Sequence, residues 1–528
     1  MKFTNPILPG FNPDPSIIRV GEDYYIATST FEWFPGVQIH HSRDLVNWEL
    51  ITHPLSTVNL LDIKGVPDSC GVWAPCLTYS NETFYLVYSA VRSFDGMYKD
   101  TPNFLTTAKD IKGPWSDPIF LDASGFDGSL FHDHDGRKFY LSMLVDHRNG
   151  KFFGGIIMQE YSEGQEKLVG DKKLIFEGTE LGVTEAPHLY QYGNYYYLVT
   201  AEGGTEYGHA VSVARSNSMW GPYETMPDNP LVSARYNLDY PIQKTGHGDI
   251  FWMDDDRSFI VFLGGRPLSS EGRCPLGRET FIEELVWENQ WPKLKNRGRL
   301  TRENIPDFPS RHTDLSEVLD FSEDELSIHY QSLRIPIESS WCRRIKKSGV
   351  IQLLGRESLA STFEQSLLAR RVQHFNFEYV IQLDFKPRSF QQMAGLVCYY
   401  NTGHHYYLNI AGSNLDGERL LHLIKCDNFD YTDVLSTPIM LPENGKVELQ
   451  VRWNLDNIQF AYRMMHDDWA LVGLPQDASI LSDDYVRDGS DRYRPAFTGS
   501  FVGFCCQDLT GQKINADFYN CKYLPLDS

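Results

Sequence analysis

The sequence predicts an all-β protein, a five-bladed β-propeller followed by a β-sandwich domain. Three observations carry this expectation. A motif recurs five times in the first 300 residues, each copy ends in a strand-forming stretch, and a two-residue alternation sets in after residue 370. The copies read NPDPSIIRVGEDYYIATS (12–29), VWAPCLTYSNETFYLVYS (72–89), FDGSLFHDHDGRKFYLSML (126–144), TEAPHLYQYGNYYYLVTA (184–201) and HGDIFWMDDDRSFIVFLG (247–264). Aligned on Ile17, Leu77, Leu130, Leu189 and Ile250, they are 53 to 61 residues apart. A period of that length, filled by short strands, suits one propeller blade per copy.

Within each copy a short apolar run leads to a polar turn and then to an aromatic, β-branched strand: YYIATS, FYLVYS, KFYLSML, YYYLVTA and FIVFLG. Gly, Asp and Asn bound these runs, as strand ends require, and helical periodicity is nearly absent. The propeller is assigned to residues 1–303. ENIPDFPSRHTDLSEVLDFSEDE (303–325) has two prolines and many polar residues, and a linker is assigned to 304–319. The sandwich is assigned to 320–528. In FNFEYVIQLDF (375–385) the residues Phe375, Phe377, Tyr379, Ile381, Leu383 and Phe385 alternate with mostly polar ones, and in KVELQVRW (446–453) Val447, Leu449, Val451 and Trp453 do the same. Period-two alternation marks half-buried antiparallel strands, and hence two packed sheets.

Bulk properties narrow the function. A chain of 528 residues exceeds what a single core holds. The net charge of −22 argues against nucleic acid or an anionic membrane as partner and fits a soluble protein acting on a neutral ligand. No run of about 18 apolar residues occurs, and MKFTNPILPG lacks the apolar centre of a signal peptide, so a cytoplasmic location is expected. The nine cysteines are scattered without a CxxC pair, which points to reduced thiols and away from zinc.

Equivalent positions of every blade face the propeller axis, so the repeat gathers residues distant in sequence. Read as equivalent, Asp14, Asp127 and Glu185 converge there, with Trp73 and Ala74 from blade two and His247 from blade five. Carboxyls buried together raise each other's pKa, and desolvation adds to the effect. Two carboxyls with separated pKa values are what acetal hydrolysis needs, one protonated for the leaving oxygen and one ionised for water or carbon. Taken singly, Asp14 in its NPDP turn also reads as an Asx-turn residue, and GluAlaPro is uninformative. Phe31, Trp33, Phe34 and Trp73 offer rings for the apolar faces of a sugar or, equally, for blade packing. Arg278 in LGRETF suits substrate hydroxyls, a carboxylate, or a surface between blades. His247 suits a hydroxyl, an axial ion such as calcium, or a satisfied core position. HisAspHisAsp (132–135) falls in an expected hairpin turn, and no metal site or cofactor is assigned.

These motifs bring a family into view. NPILPGFNPDPS (5–16), GVWAP (71–75), GFDGSLFHD (125–133), TEAPHLY (184–190), AEGGTEYGHAVSVARS (201–216), GHGD (246–249) and LGRETF (276–281) resemble glycoside hydrolase family 43, and FTGSFVGFCCQDLTG (497–511) resembles the C-terminal sandwich of its β-xylosidase branch. The resemblance implies Asp14 as general base, Glu185 as general acid and Asp127 as the carboxylate that orients the acid. It implies inversion, with base and acid roughly 6.5–9.5 Å apart. It also implies a terminal-sugar site lined by Phe31, Trp73, His247 and Arg278, and closed by Phe497 or Phe501. Val145 stands where relatives carry Trp, which thins the wall of a second sugar subsite. The implied function is an exo-acting β-1,4-xylosidase working on xylo-oligosaccharides, with α-L-arabinofuranosidase side activity, and a homo-oligomer is expected. The alternatives are an α-L-arabinofuranosidase, an endo-arabinanase, a retaining fructan-cleaving propeller and a non-catalytic carbohydrate-binding propeller.

Overall fold

Each sequence copy folds as the first hairpin of a four-stranded antiparallel sheet. The computed structural model describes residues 4–148, 152–253, 257–268, 272–306, 308–309, 311, 315–319, 321–323, 325–413, 418–488 and 495–526. The chain divides into two compact units, Met1–Pro267 with Arg278–His312, and Leu268–Gly277 with Thr313–Ser528.

Five sheets of four strands make up the first unit, and in each the strands pair in chain order. Blade one is Ser16–Val20, Asp23–Thr28, Gln38–Ser42 and Glu49–Thr52. Blade two is Gly71–Ser80, Thr83–Val91, Asn103–Ala108 and Ile119–Asp122. Blade three is Ser129–His132, Lys138–Val145, Phe153–Ser162 and Lys167–Phe176. Blade four is Glu185–Tyr192, Tyr195–Glu202, Ala210–Ser216 and Glu224–Thr225. Blade five is Gln243–Trp252, Ser258–Gly265, Glu279–Glu288 and Trp291–Leu294. The first strands of neighbouring blades touch, Ser16–Val20 against Gln243–Trp252 included, so they ring the axis and the ring is closed.

A sheet bent into a ring leaves its first and last blades to be joined, and two devices do this. The segment before blade one lies along blade five. Leu8 bridges Thr280, Asn12 N–H donates to Arg278 O, and the Asn5 amide makes three bonds of 2.8–2.9 Å to Ile282 N–H, Ile282 O and Arg302 O. At the axis, buried Asp249 of blade five accepts from Ser16 Oγ (3.0 Å) and Ile17 N–H (2.8 Å) of blade one and from Tyr190 OH of blade four. Apolar side chains fill the spaces between blades, as where Ile17, Tyr24 and Ile26 meet Phe251, Phe259 and Val261.

The second unit is a sandwich. One sheet runs Cys342–Ile345, Val350–Leu354, Asn515–Pro525, Asn376–Asp384, Val447–Asn454, Asn457–Met464, Ala470–Asp477. Glu317–Leu319, placed in the linker by its composition, pairs with Asn515–Pro525 as an added edge. The other sheet runs Ser366–Arg371, Phe501–Asp508, Gln392–Asn401, His404–Gly412, Arg419–Asp427, Asp430–Asp433. The alternation seen in the sequence sets the register, since Phe377 opposes Trp453, Tyr379 opposes Val451 and Ile381 opposes Leu449, all fully buried.

The closure of the ring is open to test. Asn5→Ala leaves the Ile282 amide and carbonyl buried without partners. The propeller should lose about 2–4 kcal/mol, read as a lower temperature of its unfolding transition.

Candidate active site

The axial end of each inner strand is built by one backbone device. Three residues before each aligned apolar position stands a residue with left-handed φ: Asp14 (54°), Ala74 (37°), Asp127 (55°), Ala186 (51°) and His247 (51°). Such a conformation is uncommon outside glycine and turns the chain sharply. It presents side chains or amides to the axis where a regular strand would alternate away.

One sequence expectation needs correction here. Asp14 and Asp127 occupy equivalent positions, but Glu185 stands one residue earlier, as Trp73 does in blade two. The equivalent residues are Ala186 and Ala74. The same one-residue bulge occurs in these blades, with Pro13, Trp73, Phe126 and Glu185 opposite Ser29, Ser89, Met143 and Ala201; blades one and three carry the acid on the residue after that pair, and blade four carries it on the paired residue itself. Two consecutive residues per blade can then contribute to the axial site, which a count at fixed spacing misses.

The three acids are buried, at 5, 8 and 7% exposure for Asp14, Asp127 and Glu185. Their support is unequal. Asp14 Oδ2 accepts from Ser29 Oγ at 2.6 Å, while Asp14 Oδ1 accepts from Arg278 Nη1 at 3.4 Å and lies 3.5 Å from His247 Nδ1. Glu185 receives no side-chain donor among the described residues, and its pKa is raised well above the ordinary range, first by burial and then by the charges of Asp127 and Asp14. Asp127 is raised in the same way, by burial and by Asp14, with the Ala186 amide working against the shift. Burial pushes His247 down to about 4, against the pull of Asp14, so its imidazole is neutral at neutral pH. The stretch before Glu185 is held by a further acid. Buried Glu202 accepts from Thr184 Oγ1 (2.8 Å), Ser212 Oγ (2.7 Å), Thr179 N–H (2.7 Å) and the Thr179 hydroxyl.

Rings wall the acids. Phe31 and Trp73 have centroids 6.0 Å apart, and the Arg278 guanidinium lies 5.6 Å from the Phe31 ring. Phe31 is itself left-handed (φ 52°) and exchanges backbone bonds with Val72. Gly71 beside it is obligatory, because a Cβ there would meet Phe31 O at 2.1 Å. The wall continues through rings that the sequence did not single out, with Trp73 next to Phe94 (4.8 Å) and Phe126 (5.3 Å), and Phe94 next to Phe152 (5.7 Å). Val145 is half-buried and opposes Phe153. Trp33 and Phe34 are buried. HisAspHisAsp runs from the end of the strand Ser129–His132 into the turn that follows it, with His134 Nδ1 2.7 Å from Asp133 Oδ1. Phe497 belongs to the second unit, where it is buried with the Arg487 guanidinium 5.8 Å from its ring. Phe501 is fully buried, with Arg371 at 5.3 Å.

Residues 3–292, nearly the whole repeat-bearing region, match the family model of glycosyl hydrolases family 43. The chain belongs to that family. Residues 318–524 match the beta xylosidase C-terminal Concanavalin A-like domain. Among similar proteins, a beta-xylosidase of Bacillus subtilis (strain 168) is 47% identical over 99% of both chains. A xylosidase/arabinosidase 43B of Humicola insolens is 45% identical over 99% of this chain and 97% of its own. The crystal structure of a xylan beta-1,4-xylosidase from Bacillus halodurans C-125 superposes with a TM-score of 0.95 at 45% identity, covering 99% of this chain and all of that one. The chain is therefore a glycoside hydrolase.

The raised pKa of Glu185 has a consequence for stability. The folded protein keeps this proton at pH values where the unfolded chain has lost it. Between the ordinary carboxyl value and the raised one, stability therefore falls as pH rises. Glu185→Gln removes the titrating carboxyl and should stabilise the propeller at pH 7 by on the order of 1–3 kcal/mol, with little gain at pH 4, measured by thermal unfolding at both pH values.

Proposed function

We propose that this glycoside hydrolase is an exo-acting, inverting β-1,4-xylosidase that releases xylose from the non-reducing end of xylo-oligosaccharides. The observation that carries the reading is the unequal support of the acids. Asp14, held by donors from Ser29 and Arg278 on its two oxygens, is suited to act as the base that draws a proton from water. Glu185, buried beside two other acids and without a side-chain donor among the described residues, is suited to arrive protonated and give that proton to the leaving oxygen. Paired carboxyls whose surroundings push their pKa values apart are the mark of acid and base roles. Asp127 and Glu185, both buried, resist being ionised together, which helps to keep Glu185 protonated. Phe31 and Trp73 supply faces for the sugar ring, while Arg278 and neutral His247 supply polar groups for its hydroxyls.

The xylosidase assignment is supported by the beta-xylosidase of Bacillus subtilis at 47% identity and the xylan beta-1,4-xylosidase fold at a TM-score of 0.95. α-L-Arabinofuranosidase side activity is supported by the Humicola xylosidase/arabinosidase at 45%. All nine cysteines are buried and none forms a disulfide, which suits work in the reducing cytoplasm on imported oligosaccharides. No step of this chemistry requires a cofactor.

The reading is tested on xylobiose and on 4-nitrophenyl β-xyloside and α-L-arabinofuranoside. Proton NMR of the xylobiose reaction should show α-xylose as the first-formed anomer, and β-xylose would overturn inversion. Asp14→Ala should lower kcat by at least about 1,000-fold on every substrate. Glu185→Ala should do so on xylobiose but far less on aryl xylosides with very acidic leaving groups, which leave without a proton. Prolonged dialysis against a chelator should leave kcat unchanged, whereas a loss restored by calcium would place an ion in the reaction.

A further inference from the structure

We infer that Ser29 is a positioning residue for Asp14, and that blade two supplies the backbone amide that fixes its hydroxyl. The inference rests on the reading of Asp14 as the base. Ser29 Oγ accepts from Ala74 N–H at 2.7 Å and lies 2.6 Å from Asp14 Oδ2. A serine hydroxyl has a single proton. With the amide engaging the oxygen, that proton goes to the carboxylate, so the relay runs from Ala74 N–H through Ser29 Oγ–H to Asp14 Oδ2. A hydrogen bond of this length to a carboxylate is charge-assisted and favours the ionised form. Ser29 is fully buried, so no bulk water reaches its place.

The repeat shows that the arrangement is specific to blade one. Asp14 has two left-handed alanine counterparts, Ala74 and Ala186, and both serve an acid of the preceding blade through their amides. Ala186 N–H bonds Asp127 directly, whereas Ala74 N–H reaches Asp14 through Ser29. The residue that faces the bulge from the second strand is Ser29, Ser89, Met143, Ala201 and Leu263 in blades one to five. Two of these carry a hydroxyl. That of Ser89 turns to Asn103 Oδ1 of its own blade at 2.6 Å, and that of Ser29 alone is aimed at an acid.

Around Asp14 the charged and titratable groups are Arg278 and His247 within 3.5 Å, and Asp127, Glu185 and His209, which interact with it electrostatically. Ser29 adds the short neutral donor on Oδ2, opposite the Arg278 contact on Oδ1. Removing it should leave the base less firmly ionised and less well aimed, without touching the sugar.

The experiment compares wild type, Ser29→Ala, Ser29→Cys and Ser89→Ala on xylobiose and 4-nitrophenyl β-xyloside across pH, with thermal unfolding of each. Ser29→Ala should lose roughly 10- to 100-fold in kcat on both substrates, with KM changed less than about twofold. Its acidic limb of kcat/KM should move up by about one pH unit. Ser29→Cys, which keeps a weak donor, should fall between it and wild type, and Ser89→Ala should keep the wild-type profile. The inference is overturned if Ser29→Ala retains the wild-type kcat and pH profile. It is equally overturned if both Ser29 variants lose rate only in proportion to lost folded protein, with an unmoved acidic limb. A wild-type enzyme inert on both xylosides would instead overturn the functional reading, so the two failures are separable.

Discussion

The site depends on a backbone conformation that an L-amino acid adopts reluctantly. Asp14, Ala74, Asp127, Ala186 and His247 all hold φ near 37–55° at the axial end of their inner strands. Each such residue carries strain on the order of 1 kcal/mol, and it persists only where the surroundings over-determine it. Here they do. The hairpins on both sides, the register shifts at Trp73 and Glu185, and the Asp249 network pin the strand ends from several blades at once. Without those turns the axial side chains would alternate away from one another, as in any regular strand.

Given the turn, one structural position performs two chemical tasks. In blades one and three it delivers a carboxylate, and in blades two and four it delivers an amide that serves the acid of the blade before. This explains alanine at positions 74 and 186, where a fourth and fifth acid would add repulsion to an already strained cluster. It also explains the electrostatic division of labour. Arg278 and Ser29 converge on Asp14, Ala186 gives partial relief to Asp127, and at Glu185 burial and the like charges of Asp127 and Asp14 outweigh the pull of Arg278. The three groups are chemically alike, and what distinguishes them is their neighbours.

The repeat was legible because its period and its strand composition are local properties. Five copies of an apolar run, a polar turn and an aromatic strand can form nothing else economically, and alternation from Phe375 to Phe385 sets a buried face without reference to the rest of the chain. The acids were legible through the same repeat, but only to within one residue. The bulge brings two consecutive residues of each inner strand to its axial end, and strand composition does not say which of the two carries the acid, so Glu185 and Ala186 are confused in a fixed-spacing alignment. Ser29 was illegible for a sharper reason. Ser29 and Ser89 close nearly identical strands, YYIATS and FYLVYS, yet one hydroxyl meets an acid and the other an asparagine of its own blade. Glu317–Leu319 was hidden in a polar, proline-containing stretch because the strand it pairs with lies some 200 residues later.

The amino-acid sequence by itself determined the number of blades, the two-part architecture, the acids, rings and cations available for a site, and the family, since each follows from periodicity and residue type. The tertiary structure decided which of those groups touch. Contacts such as Ser29 Oγ with Asp14 Oδ2 and Arg278 with Asp14, across 15 and 264 residues of chain, arise only when the ring closes and the inner strands meet at the axis. Proton affinity is set by burial and by neighbouring charge, which no single position in a chain contains.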